Sequence, residues 1–147
     1  MNILVGVDLA PATEKIVRSA ESLARALKAR LWLVHVAEPE PDFVGFDIGP
    51  QVERDARSEA FHQEHAEVQA IADGLRQQGL EATALLVQGP TVELLLQEAA
   101  NLDADMIILG SHGRGAVQRL LVGSVSEGVL HRAACPVLIV PTHERKA

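Results

Sequence analysis

Short apolar runs alternate with longer stretches of helical periodicity along most of the chain. Asn2 to Asp8, NILVGVD, is an apolar run closed by an acid, which predicts a central strand whose carboxyl end meets a loop. Pro11 suits the first turn of a helix, where its missing N–H has no intrahelical partner to lose. Ile16, Ala20, Leu23 and Leu27 then recur at three- and four-residue spacing, forming one apolar face through about Ala29. Leu31 to Ala37, LWLVHVA, is a second strand. From about Val52 to Gln78 the spacing of Phe61, His65, Val68, Ala72 and Leu75 predicts a second helix, with Gly79 as its stop. Leu80 to Gln88 reads as a third strand. A helix follows from Gly89-Pro90-Thr91, with Val92, Leu95, Leu96 and Ala99 inward. Ala104 to Leu109 is a fourth strand, and Pro136 to Pro141 a fifth. Between them Val117 to Val122 and Ser124 to Arg132 read as short helical pieces parted at Gly123.

This alternation of strand and helix predicts an α/β domain, with a five-stranded parallel sheet covered by helices on both faces in a three-layer α/β/α, Rossmann-like arrangement. Such sheets hold ligands beyond the carboxyl ends of their strands, where the strand order reverses. Asp8 and Gly110 both stand at such ends. They converge if the first and fourth strands are neighbours.

Composition sharpens the picture in three ways. A chain of 147 residues with 48% apolar content suits one domain with a real core, and with only 3% aromatic content that core is aliphatic. The single cysteine, Cys135, rules out an intrachain disulfide framework. With no leader-like segment and no apolar run near ~20 residues, the domain is expected to be cytoplasmic, with no membrane contact. The net charge of -7 argues against nucleic acid held by general phosphate attraction. Nine acids and two arginines between Glu38 and Glu67 carry all of that excess. Gly110 to Arg132, by contrast, holds Arg114, Arg119 and Arg132 against Glu127 alone.

That locally basic stretch is also the one with candidate chemistry. Gly110 to Ser124 reads GSHGRGAVQRLLVGS. Glycines at 110, 113 and 123 allow a ligand close to backbone amides, and a helix N-terminus after Gly123 offers unpaired N–H groups to an anion. The plainer reading is that Gly110 ends a strand and Gly123-Ser124 breaks and caps a helix. Local pattern alone leaves both open. Elsewhere, Glu38 to Pro50 reads as a loop carrying Phe43, Val44, Phe46 and Ile48, either packed on the sheet edge or serving as a flap. Glu59, His62 and His65 imitate a metal set, yet three-residue spacing rotates around a helix and supplies no fourth ligand. Cys135 has no histidine or acid placed beside it by sequence and reads as structural. Val137 to Val140 is a short apolar strand that needs cover, for which a second subunit is one source.

The opening ILVGVD, the GSHGRGAVQRLLVGS stretch and the closing SVSEGVLHRAACPVLIVP resemble the universal stress protein family. The resemblance runs over essentially the whole chain, 1–147, as a single domain. Gly110, Gly113, Gly123 and Ser124 match the Gly-x2-Gly-x9-Gly-Ser/Thr pattern of its ATP-binding members. The resemblance implies a sheet ordered 3-2-1-4-5 and a homodimer through Val137 to Val140. It implies Asp8 near the nucleoside and the backbone around Val36 lining the adenine pocket. Gly110 and Gly113 then approach ribose and phosphates, with Arg114 beside them, and Gly123, Ser124 and Val125 complete the phosphate cradle. The implied cofactor is ATP, with Mg2+ or Mn2+ held mainly through the phosphates. No Gly-x4-Gly-Lys-Ser/Thr segment is present, so slow hydrolysis at most is expected. The loop Leu9-Ala10-Pro11-Ala12 departs from the family's small polar stretch, with no hydroxyl before Thr13. A dimeric interaction protein of the same fold, without nucleotide, is the alternative.

Overall fold

The computed structural model describes residues 1–37, 50–111 and 122–142, with side chains left out at 50–58. Among these residues five strands, β1 (Asn2–Gly6), β2 (Arg30–Ala37), β3 (Ala82–Gln88), β4 (Met106–Gly110) and β5 (Val137–Val140), alternate with four helices. These are α1 (Thr13–Leu27), α2 (Pro50–Gln77), α3 (Thr91–Asn101) and α4 (Ser124–Arg132). Every strand pairing is parallel, and the order across the sheet is β3-β2-β1-β4-β5. The chain reverses its direction of travel across the sheet between β1 and β4. That reversal opens the crevice at their carboxyl ends.

Because both faces of the sheet are covered, the central strands read as unbroken apolar runs rather than as alternating ones. Period-two alternation still sorts their side chains. Ile3, Val5, Leu31, Leu33 and Ile108 pack with Ile16, Ala20 and Ala24 of α1 and with Val68, Ala72 and Leu75 of α2. Leu4, Val34, Val36, Ile107 and Leu109 pack on the other face with Leu95 and Ala99 of α3 and Val129 of α4. Each fully buried aliphatic side chain stabilises the fold by about 1.5–3 kcal/mol relative to exposure. The two half-cores therefore hold the sheet between them and leave its ends for other work.

Two local outcomes differ from the sequence reading. α1 begins at Thr13, not at Pro11, because Ala10 O accepts the Thr13 N–H at 2.9 Å and closes a turn first. His65 was expected on the inward stripe of α2 but is exposed, bonded to Gln69 at 3.2 Å. The stripe runs instead through Phe61, Glu64 and Val68, since steps of three and four along a helix permit either route.

Candidate functional site

The carboxyl end of β1 is closed by its own acid. Val7 N–H continues the sheet by donating to Val34 O at 3.0 Å, after which the chain turns through Leu9 at φ 61°. A left-handed leucine costs on the order of 1–2 kcal/mol. Asp8 offsets this: its Oδ1 accepts the Ala10 N–H and the Thr13 hydroxyl, both at 3.1 Å. Leu9 meanwhile packs onto the α1/α2 half-core. The Thr13 hydroxyl, the first after Asp8, thus serves the loop itself. Asp8 organises the rim of the crevice.

Pairing of β1 with β4 puts Ile3 opposite Met106 and Val5 opposite Ile108, so the end of β4 emerges beside Asp8's loop. Gly110 is tightly enclosed there: a Cβ would lie 2.8 Å from Ile16 Cδ1 and 2.8 Å from Thr142 Cγ2. Its missing side chain makes room for Ile16 and Thr142, a close approach of protein that its spacing did not suggest. Beyond it Ser111 N–H donates to Val140 O at 2.8 Å, and Ser111 O accepts the Gly123 N–H at 2.5 Å. Ser126 Oγ donates to Gly110 O at 2.5 Å. These bonds bring the two ends of the glycine-rich stretch together at the base of α4.

Gly123 is the N-cap of α4 in extended conformation, at φ -70°, so no left-handed turn demands glycine there. Ser124 and Val125 open the first turn and are exposed. The amides of a first helical turn have no intrahelical acceptor and carry the positive end of the helix dipole. Val36 is buried in the α3/α4 half-core, leaving its backbone, near the end of β2, as the part able to face a ligand. Gly113 and Arg114 lie outside the described residues, as do His112, Arg119 and the whole Glu38 to Gly49 part of the suspected flap.

Sequence reasoning passed over four polar residues that matter here. Ser111 lies inside the glycine-rich stretch, Ser126 in the helical piece after Gly123 and Thr142 just past the last strand, and none of them was singled out. His35, set within the apolar LVHV run, is buried, with Nδ1 2.7 Å from Val7 O. A carbonyl only accepts, so Nδ1 carries the hydrogen and Nε2 is turned to Glu64 Oε2 at 3.5 Å. A histidine inside an otherwise aliphatic strand was the available signal. Cys135 is half-buried, and burial first, then the Asp105 carboxylate, push its thiol above the ordinary 9.0. That is the reverse of what an attacking thiolate needs.

A groove of about 770 Å³, lined by Asn2, Arg25, Lys28, Arg30, Leu80 and Glu81, lies at the opposite, amino end of the sheet. It contains none of the residues singled out by motif. Among the described residues no three His, Cys, Asp or Glu side chains are grouped to hold a metal ion. Among them, too, no helix is long and apolar enough to cross a membrane.

Comparison with known proteins agrees with this architecture. The family model described as "Universal stress protein family" matches residues 1–141. A universal stress protein of Thermus aquaticus is 36% identical over 138 residues, covering 94% of this chain and 96% of its own. Among solved structures, a universal stress protein in complex with cAMP superposes with a TM-score of 0.72 at 23% identity, covering 97% of this chain and 98% of the other. One from Archaeoglobus fulgidus in complex with dAMP gives 0.63 at 20% identity, with 95% and 96% covered.

Proposed function

Since the chain belongs to the universal stress protein family, we propose that it is a nucleotide-binding stress-response module whose ligand is ATP. The observation that carries this reading is the 2.5 Å bond from Gly123 N–H to Ser111 O, which sets the open first turn of α4 against the end of β4. Such a turn suits a polyanionic phosphate chain. Two relatives of the same fold were solved with adenine nucleotides, cAMP and dAMP.

In this reading the amides of Ser124 and Val125, with Gly123 behind them, meet the phosphates. Gly110 and Gly113 lie along ribose and phosphate, Arg114 adds charge, the Val36 backbone flanks adenine, and Asp8 fixes the rim near the nucleoside. Mg2+ or Mn2+ would come with the triphosphate and be held mainly by its oxygens, since the backbone N–H groups of the turn suit phosphate and not a cation. When bound, that ion neutralises phosphate charge. In this reading hydrolysis is slow at most, since the sequence carries no Gly-x4-Gly-Lys-Ser/Thr segment.

The test is calorimetric titration of the full chain with ATP and magnesium, with cAMP and dAMP as competitors. Saturable binding that Gly113→Val abolishes is expected, and heat no greater than dilution overturns the reading. A second reading is favoured by β5, which stands at the sheet edge with Leu138 exposed. It is that of a homodimer formed through Val137–Val140 and acting as an interaction protein without nucleotide. Denatured protein that releases no adenine nucleotide, together with a null titration, selects it.

A further inference from the structure

The glycine-rich stretch is closed from below by a set of bonds that no glycine pattern contains. Ser111 is buried and engages through all three of its polar groups. Its N–H reaches Val140 O at 2.8 Å, and its O takes the Gly123 N–H at 2.5 Å. Its Oγ accepts the Thr142 N–H at 3.0 Å and lies 3.2 Å from Thr142 Oγ1. One residue therefore joins the end of β4, the start of α4 and the chain leaving β5. β5 is the outermost strand on this side and, among the described residues, pairs with β4.

We propose that Ser111 and Thr142 form a hydroxyl latch that positions the phosphate-binding turn of α4 and couples it to the edge strand β5. The consequence is two-way, because coupling between two sites is reciprocal. A phosphate chain seated on Ser124 and Val125 steadies Gly123, hence Ser111, hence Thr142 and the close of β5. Whatever covers the β5 edge steadies the same bonds from the other side and raises affinity for the nucleotide. In this proposal Ser111 and Thr142 act through Gly123 rather than on the phosphates, which makes them positioning residues. Of the other buried hydroxyls among the described residues, Ser126 bonds Gly110 O from within α4 and Thr13 bonds Asp8, so the link to β5 is the one through Thr142. This inference rests on the nucleotide reading for its affinity arm only.

The experiment measures amide exchange at Gly123 and Thr142 in nucleotide-free protein, and then affinity for magnesium ATP and the protection it confers. Ser111→Ala removes the hydroxyl's bonds to Thr142, and roughly tenfold faster exchange at Gly123 with roughly tenfold weaker binding is expected. In the wild-type protein ATP slows exchange at Thr142; in Ser111→Ala that protection disappears even at saturation. Thr142→Ser restores wild-type values, whereas Thr142→Val gives an intermediate loss and serves if Ser111→Ala fails to fold. Val68→Ala, remote on α2, lowers global stability and leaves Thr142 protection by ATP intact. Unchanged Gly123 exchange in Ser111→Ala and Thr142→Val overturns the latch. Unchanged ATP protection of Thr142 in both variants overturns the coupling. If the wild-type protein binds no nucleotide, the function proposal fails, and Gly123 exchange still decides whether the latch exists.

Discussion

The two ends of the sheet are held together by different chemistry. At the amino end most bonds are exposed and involve charged groups: Arg30 Nε meets Glu81 Oε2 at 2.6 Å, Arg25 meets Glu21 at 2.9 Å, and the Asn2 N–H meets Asp105 Oδ2 at 2.8 Å, with two neutral, part-buried bonds of the Asn2 side chain beside them. At the carboxyl end the bonds are buried or part-buried and mostly neutral. All four buried polar residues among those described, Thr13, His35, Ser111 and Ser126, belong to it. Exposed ion pairs contribute little, about 0–1 kcal/mol, because water competes for both partners. A buried group that loses its partner costs about 1–3 kcal/mol. A chain gains nothing in stability by burying hydroxyls where aliphatic groups would pack, so their collection at one end marks the end where backbone must be held in a set geometry.

The largest expected effect tests whether the carboxyl end is as closely built as this contrast requires. Gly110→Val drives new methyl groups into Ile16 and Thr142, both already 2.8 Å from a first added carbon. A loss of about 2–3 kcal/mol is expected in urea unfolding. The counterpart is Gly79→Ala, where φ is +88° but nothing lies within 4 Å. Strain alone then costs about 1 kcal/mol. Equal losses would mean that Gly110 is needed for conformation and not for close approach.

Next comes His35→Leu, which removes the donor to Val7 O and leaves Glu64 facing an aliphatic group. A loss of about 1–3 kcal/mol is expected. Arg30→Gln at the other end, by comparison, is expected to change stability by less than about 1 kcal/mol. An Arg30→Gln protein as unstable as His35→Leu would erase the distinction. Lys28→Gly should move the other way. Lys28 closes α1 in the left-handed region at φ 53° and is exposed, so glycine there is expected to add up to about 1 kcal/mol.

How much of this could be read in advance follows from the same contrast. The five-stranded α/β architecture was legible because strands buried on both faces leave short apolar runs, and α1 and α3 leave clear periodicity. Asp8 and Gly110 were recognisable as strand ends, and β1–β4 pairing does bring those ends side by side. The bonds that fix the site were not legible. Ser111 and Thr142 are 31 residues apart, and nothing in either neighbourhood names the other. His65 was placed on the inward stripe by its spacing, yet it is Glu64 of α2 that turns inward to face His35 of β2. Pairing between distant polar groups is invisible to a periodicity that counts only apolar positions. Gly110 shows the converse, a correctly chosen residue with a different reason behind it, since its free space is taken by Ile16 and Thr142.

The smallest effect asks whether burial or location sets the difference between the ends. Glu93 stands in the first turn of α3 and is fully exposed, paired with Arg132 Nη1 of α4 at 3.2 Å. Its carboxyl lies below the ordinary 4.5, first through a backbone hydrogen bond within its own helix turn and then through the bond to Arg132. A carboxyl lowered by folding contributes stability that is present above 4.5 and is lost as pH falls through its lower folded value. Being exposed, it should make that acid-side loss barely measurable in unfolding experiments. Its titration followed by NMR should nonetheless show the lowered midpoint. Arg132→Gln should move the midpoint only part of the way back, because the backbone bond remains. A return to the full ordinary value would assign the shift to the arginine alone. If instead Arg132→Gln cost as much stability as His35→Leu, an exposed pair would be doing what only buried groups do elsewhere in the molecule, and burial could no longer explain why the carboxyl end is the sensitive one.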